Sequence, residues 1–402
     1  MRRIQMRHIL LAGCLLVAVA APLRADDDLD LEALRSLPYV SSSPVVEERS
    51  GVVLHDPDRA EAGLRLYTVK PLGRAELIAA DGTLVHSWSD ETRVFWRRTE
   101  LLEDGGVLVV GANPVTDPDS VKAPDLNPWL ARLDRDSHVL WRSSVNAHHD
   151  VEIAPDGKVA VLGFERRIEP EINPDVEVKV DGILTLDPET GETIDFWGFY
   201  DAMVGHEDVF PLMKGPITRL GGEPWVDVFH ANSLEWMARE DLFGTHPVYS
   251  PDHVLVCFRH QDRVAIFDAA NRSTVWAWGK GRISGPHDAQ LTPDGNVLLF
   301  DNGQGKRRSR VLIVDPRTDQ IVREWQADPP ESFFTDARGS VQLLPNGNLL
   351  MAESNNGRAL EVAPDGAPVW EWLNPHRRGQ NRPLVIIRMR WIGSGEEYGF
   401  SP

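Results

Sequence analysis

The stretch Gly285 to Arg310, GPHDAQLTPDGNVLLFDNGQGKRRSR, decides the fold. A His287-Asp288 pair opens it, and the turn Pro293-Asp294-Gly295 follows, with its glycine eight residues after the histidine. Val297 to Phe300 is an apolar run with the length and composition of a buried strand. Val311 to Val314 is a second one, beyond Asp301-Asn302-Gly303. Short apolar segments hinged by Pro, Asp, Asn and Gly read as antiparallel β structure. The same frame returns as HHDVEIAPDG, ending at Gly157, and as RGSVQLLPNG, ending at Gly347.

Working outward, tryptophans mark a period at Trp88, Trp141, Trp197, Trp278, Trp325 and Trp372, spaced 53, 56, 81, 47 and 47 residues apart. Each unit divides into four strands; in the fifth they are His287 to Thr292, Val297 to Asp301, Arg310 to Asp315 and Ile321 to Trp325. Four antiparallel strands per repeat of this length are the signature of a propeller blade. The long third step predicts an insertion over the irregular stretch Gly205 to Val226. Leu64 to Thr68, Ala75 to Ala79 and Leu84 to Trp88 need a fourth strand, which Leu384 to Trp391 supplies from the far end of the chain. The expected fold class is therefore all-β, a six-bladed propeller over residues 51–402, closed by strands from both termini so that no sheet edge is left open.

The chain has 402 residues, 42% hydrophobic and 26% charged, ample for a large core. Residues 1–25 read as a secretory signal peptide: Arg2, Arg3 and Arg7 are basic, Ile9 to Ala21 is apolar, and Leu23-Arg24-Ala25 is a cleavage site. The expectation is a periplasmic protein with no membrane insertion once the leader is removed. Leu11-Ala12-Gly13-Cys14 resembles a lipoprotein box but falls inside the apolar run, which argues against anchoring through Cys14. Residues 26–50 form an acidic, then Ser- and Pro-rich arm. Removal of the leader leaves Cys257 alone, so no intramolecular disulfide is expected. A formal charge of −19 excludes nucleic acid as a partner. The chain contains no glycine-rich phosphate loop, Cys-x-x-Cys, His-Glu-x-x-His or Gly-x-Ser-x-Gly.

In a propeller the first strand of each blade lines the central channel. Counting eight residues back from each turn glycine gives Arg97, His149, His287 and Gly339 at the starts of these strands. In the fourth unit the strand begins at His230, in FHANSLEWM, with Asn232 just inside it, and Arg259 ends the second strand. The closing strand carries Arg388 and Arg390. Three histidines at equivalent places could hold a transition metal. Arginines around them would repel a cation and instead match a multi-oxygen anion, so no metal and no cofactor are expected. Imidazoles serve as nucleophile, acid or base near neutral pH. Asp150 and Asp288 are expected to cap their strands, and His148 to face away from His149, because adjacent strand side chains alternate. Asp301-Asn302-Gly303 reads as a turn, Lys306 to Arg308 as a solvated run, and the tryptophans as packing between blades.

These stretches, together with Gly63-Leu64-Arg65-Leu66-Tyr67, LIAADGTLVHSW and GRALEVAPDGAPVWEWLNP, resemble the bacterial arylsulfate sulfotransferases, periplasmic six-bladed propellers, over residues 50 to 392. The resemblance implies transfer of a sulfuryl group from a small-molecule aryl sulfate to a phenol, without a phosphoadenosine donor and through a sulfated histidine. It implies His287 as nucleophile, with His149, His230 and Arg259 in support; Arg97, Asn232 and Arg388 are the substrate-binding candidates. Better-known members carry an N-terminal β-domain used in dimerisation and a disulfide. Here an acidic arm and one mature cysteine stand in their place, so the oligomeric state does not carry over. The alternatives are a non-catalytic envelope propeller that binds a ligand or partner protein, and a metal-dependent enzyme using the histidines.

Overall fold

The computed structural model describes residues 49–90, 92, 95–114, 126–218, 223–378 and 382–401. The stretch expected to be a leader, Cys14 within it, and the expected arm up to residue 48 lie outside the described residues. Arg49–Pro402 is one compact unit.

Six antiparallel four-stranded sheets follow one another along the chain. Blade 1 runs Ile386–Trp391, Arg65–Val69, Arg74–Ile78, Leu84–Ser89, so its inner strand comes from the C-terminal end as the spacing predicts. Blade 2 is Phe95–Leu101, Val107–Pro114, Leu126–Leu133, Val139–Ser143, and blade 3 is Ala147–Ile153, Val159–Glu169, Asn173–Leu186, Thr193–Gly198. Blade 4 is Ala231–Trp236, His253–Phe258, Arg263–Asp268, Ser273–Trp278, and blade 5 is His287–Leu291, Val297–Asp301, Arg310–Asp315, Gln320–Gln326. Blade 6 is Ser340–Leu343, Leu349–Glu353, Arg358–Val362, Pro368–Leu373. It gains an unanticipated fifth strand, Gly51–His55, on its outer edge.

The core is divided into six apolar layers, each formed between neighbouring blades. The marker tryptophans all lie on outer strands and bridge blades. Trp88 donates to the Gly105 carbonyl of the next blade at 3.2 Å, Trp141 to Pro188 at 2.9 Å and Trp278 to Asp319 at 3.2 Å. Inner strands pack in a closed ring. They are fastened by side chains that accept the next strand's backbone N–H groups: Asp150 from Leu234, Glu152 from Trp236, Ser233 from Ala289, Glu235 from Leu291, Asp288 from Val341 and Gln342 from Trp391. Asp288 thus binds across the blade boundary, and Asp150 does so while its Oδ1 also accepts the Val151 N–H of its own strand at 3.1 Å.

The insertion also has a structure. A short helix, Phe199–Met203, leads to Ile217–Thr218, which pairs with Trp225–Asp227. The latter runs parallel to the third strand of blade 3, with Asp227 opposite Lys179.

Candidate active site

The starts of the inner strands and the connections between second and third strands lie at the same end of every antiparallel blade. All the predicted histidines fall there, and the backbone is unusual at that level. His149, His230, Asp288 and Arg338 have φ of 58°, 49°, 53° and 63°. Non-glycine residues rarely adopt this region, each at a cost of about 1–3 kcal/mol, and such residues cluster at functional sites. Ladder irregularities accompany them in blades 3, 4 and 5. The left-handed His149 breaks the alternation expected of a strand. His148 therefore turns to the same side, with its Nδ1 2.8 Å from His149 Nδ1. At the equivalent place in blade 6, Gly339 (φ 102°) has the Phe300 ring 2.6 Å from where a Cβ would stand, so only glycine fits.

His287 is 7% exposed. Its Nδ1 lies 2.7 Å from Asn302 Oδ1 and 3.0 Å from the Gly285 carbonyl. The Asn302 amide nitrogen donates to the carbonyls of Thr335 at 2.8 Å and Arg338 at 2.7 Å, so its oxygen must face the imidazole. Nδ1 therefore carries the proton and Nε2 the lone pair, which accepts the Arg338 N–H at 3.1 Å. Burial, with the charges of His230 and Arg259 added, lowers the His287 pKa to about 3, although the Asn302 hydrogen bond opposes the shift.

A second chain of contacts ends on His149. Lys179 Nζ lies 2.6 Å from Asp181 Oδ1, which in turn is 3.2 Å from His148 Nε2. His148 Nε2 and Asp181 Oδ1 face each other without hydrogen-bond geometry, and the two Nδ1 atoms hold one proton between them. His149 Nε2 has no partner among the described residues. Burial first, then Lys179, lowers the His148 pKa to about 4; burial first, then His148 and His230, holds that of His149 well below the ordinary value.

His230 packs on His149 with ring centroids 5.0 Å apart and on His260 at 4.6 Å. Its Nδ1 binds Asp227 Oδ2 at 2.6 Å. Burial pushes the Asp227 carboxyl up, but Lys179 and the His230 bond together hold it far below the carboxylate range. Arg259 Nη1 donates to His260 Nε2 at 2.9 Å, while its buried Nε has no acceptor. Arg97 lies beside His149 and Lys179 and adds its charge to theirs.

Two predicted residues are engaged elsewhere. Asn232 donates to the Pro286 carbonyl at 2.8 Å and so steadies the segment before His287. Arg388 crosses the channel from blade 1 to Asp150 of blade 3 at 3.1 Å and Asp288 of blade 5 at 2.5 Å. Below this plug lie the buried-channel carboxylates Glu152 and Glu235; burial raises Glu235 to about 7 and, with Glu235 adding to it, raises Glu152 well above its ordinary value. A cavity of about 560 Å³ opens at that opposite mouth, lined by Glu100, Arg390, Glu396, Glu397 and Tyr398 among others, and contains no imidazole.

Sequence reasoning missed Asn302, Lys179, Asp181, Asp227, His260 and Arg338. Asn302 was legible only as a turn, and Asp227 arrives on the inserted strand. Ligand atoms of Asp227, His230 and His260 lie within 4.8 Å of one another, a grouping of the size that can hold a metal ion. Several of its donors are engaged, Asp227 Oδ2 by His230, His260 Nδ1 by the Asp227 carbonyl at 2.7 Å and His260 Nε2 by Arg259, while Asp227 Oδ1 and His230 Nε2 have no hydrogen-bond partner among the described residues. The Arg259 and Lys179 charges alongside suit an anion better than a cation.

Fold and site together define a propeller whose channel mouth gathers imidazoles and arginines, a set of groups that suits an oxyanion. The chain belongs to the arylsulfotransferase (ASST) family, a family of sulfotransferases, whose model matches residues 129–377, more than half of its length. No curated protein matches it. Among solved structures it is similar to a protein of unknown function from Bacteroides caccae, at 13% identity and a TM-score of 0.50, covering 82% of this chain and 98% of that one. A functionally unknown protein from Desulfotomaculum acetoxidans aligns at 11% identity with a TM-score of 0.46, covering 81% and 98%. The first of these likenesses is one of fold alone.

Proposed function

We propose that this protein transfers a sulfuryl group from an aryl sulfate to a phenol through a sulfo-histidine on His287. The observation that carries the reading is the meeting of His149, His230 and His287 with Arg259 at one channel mouth, with the Nε2 of His287 unprotonated. In the first half-reaction the His287 Nε2 lone pair forms the N–S bond, the S–O bond to the aryl group breaks, and the phenolate leaves with the electron pair. Arg259, whose buried Nε lacks an acceptor, meets the sulfuryl oxygens. In the second half the acceptor phenol attacks sulfur, His149 Nε2 takes its proton, and the N–S bond returns its pair to His287. The Arg338 amide that covers Nε2 must give way when the donor binds, in line with catalytic hydrogen bonds that reach their working geometry only in the complex. The reading also places the protein in the periplasm, on the basic-apolar pattern of residues 1–25. No helix among the described residues is long and apolar enough to cross a membrane.

The test is release of nitrophenol from p-nitrophenyl sulfate with and without added phenol, followed by peptide mapping of the sulfated residue after an alkaline quench. The expected result is phenol-stimulated release, a sulfated His287, and loss of at least ~10³-fold in kcat for a folded His287→Ala variant. A sulfo group on His230, whose Nδ1 is held by Asp227, would move the nucleophile there. A folded, fully active His287→Ala variant would end the assignment.

A further inference from the structure

The reacting groups occupy one side of the mouth: His149, His230, Arg259 and His287 come from blades 3, 4 and 5. Three further cations face them from the other side: Lys70 and Arg97 from blades 1 and 2, Arg338 from blade 6. Lys70 opens the short connection Lys70–Leu72, which packs on the inner strand that carries Arg97. Neither Lys70 nor Arg97 has a hydrogen-bond or ion-pair partner among the described residues. Arg338 gives one nitrogen to Asn355 Oδ1 at 2.7 Å and has Asp336 as an acidic neighbour.

The trio is half-buried, and like charges crowd together in it. Burial, with Arg338 and Arg97 adding their charge, lowers the Lys70 pKa to about 8, and burial also depresses that of Arg97. Arg338 in turn bears on Arg259, and Arg97 on Lys179, so cations from five blades encircle the mouth. In a chain of net charge −19 this is a local gathering of cations in which Lys179 pairs with Asp181 and Arg338 has Asp336 beside it, while Lys70 and Arg97 are left without a carboxylate partner among the described residues. One sulfate ester carries a single negative charge, which the Arg259 guanidinium already matches. The opposite trio has no role in chemistry confined to that group.

We propose that Lys70, Arg97 and Arg338 form a second anion subsite, and that the natural donor or acceptor is an aromatic compound with an anionic group besides the transferred sulfuryl, such as a ring carboxylate or a second sulfate. The proposal rests on the sulfuryl-transfer reading above and names its substrate class. With sulfur at His287 the ring spans the mouth, and the second anion meets Lys70 and Arg97. Held at both ends, the ester is presented to the nucleophile in a fixed orientation.

Two measurements test this on the full protein. Calorimetric binding of 4-sulfobenzoate, a dianion, is compared with that of benzenesulfonate, and turnover of 4-carboxyphenyl sulfate with that of 4-carbamoylphenyl sulfate. The wild type is expected to prefer the doubly charged member of each pair about ten-fold or more, and the ratio to fall towards one in a Lys70→Gln/Arg97→Gln variant. Equal affinity for both probes in the wild type, or a preference that survives the double substitution, overturns the subsite. A clear binding preference without turnover of either ester upholds the subsite and sinks the sulfuryl-transfer reading, so the two failures are distinguishable.

Discussion

His287 becomes useful through Asn302, which commits its own amide hydrogens to two carbonyls and so dictates which ring nitrogen holds a proton. Burial then keeps the ring neutral, with a pKa of about 3 against the ordinary 6.5. The nucleophile is therefore expected to need no deprotonation near neutrality, and kcat/KM for an aryl sulfate should show no acid limb near pH 6.5 arising from it. Stability carries the matching signature. The folded-state pKa values of His148, His149 and His287 all lie below their unfolded values. The unfolded chain takes up protons below pH 6.5 while the folded state stays neutral, so the stabilisation is complete above 6.5 and is lost as pH falls towards 4 and 3. Glu152 and Glu235, with raised values, act in the opposite sense over the same range, so the imidazole effect is read in a Glu152→Gln/Glu235→Gln variant: its urea unfolding at pH 7 and pH 5 should differ by a few kcal/mol, and equal midpoints and slopes would mean these imidazoles are not buried neutral. His149 and His287 were legible because each sits eight residues before a turn glycine, and His230 and Arg259 because they bound strands of the fourth unit. Asn302 was not, because its partner lies 15 residues away, on the neighbouring strand of the same blade.

At the scale of elements, the inner strands do two jobs, lining the channel and locking each blade to the next. Arg388 was expected to bind substrate, since it points toward the axis. Its guanidinium instead joins Asp150 and Asp288, and burial of the arginine is outweighed by those two carboxylates, which raise its pKa. Arg388→Met would strand both acids in the channel wall, with Arg98 remaining for Asp150 at 2.7 Å. The expected loss is about 3–5 kcal/mol in denaturant unfolding. A variant of normal stability with a raised KM would return Arg388 to the substrate. The insertion after blade 3 shows the converse. Its composition reads as an irregular loop, yet the three-residue strand Trp225–Asp227 sets a carboxylate beside Lys179 and His230. Strand order in such a segment depends on a long-range parallel pairing that no local period records.

The whole molecule depends on closure. Blade 1 receives its inner strand, Ile386–Trp391, from more than 290 residues away, paired with Arg65–Val69. A chain truncated before Ile386 would leave an open strand edge and uncover the layers on both sides of blade 1. We expect such a protein to lack a single cooperative unfolding transition; one sharp transition with native-like circular dichroism would show that the other five blades stand alone. The repeat, the all-β class, the blade count and the closing strand all follow from sequence alone, because turn residues, apolar runs and outer-strand tryptophans are local signals repeated at a period. The counted positions of His149 and His287, and His230 at the start of its strand, follow from it too. Tertiary structure alone decided what stands around them: His148 beside His149, Asp227 under His230, the plug made by Arg388, and the cations of blades 1, 2 and 6 across the mouth. A one-residue bulge reverses the face a side chain presents, and contacts between blades join residues about 50 or more positions apart, so no reading of a single strand could place them.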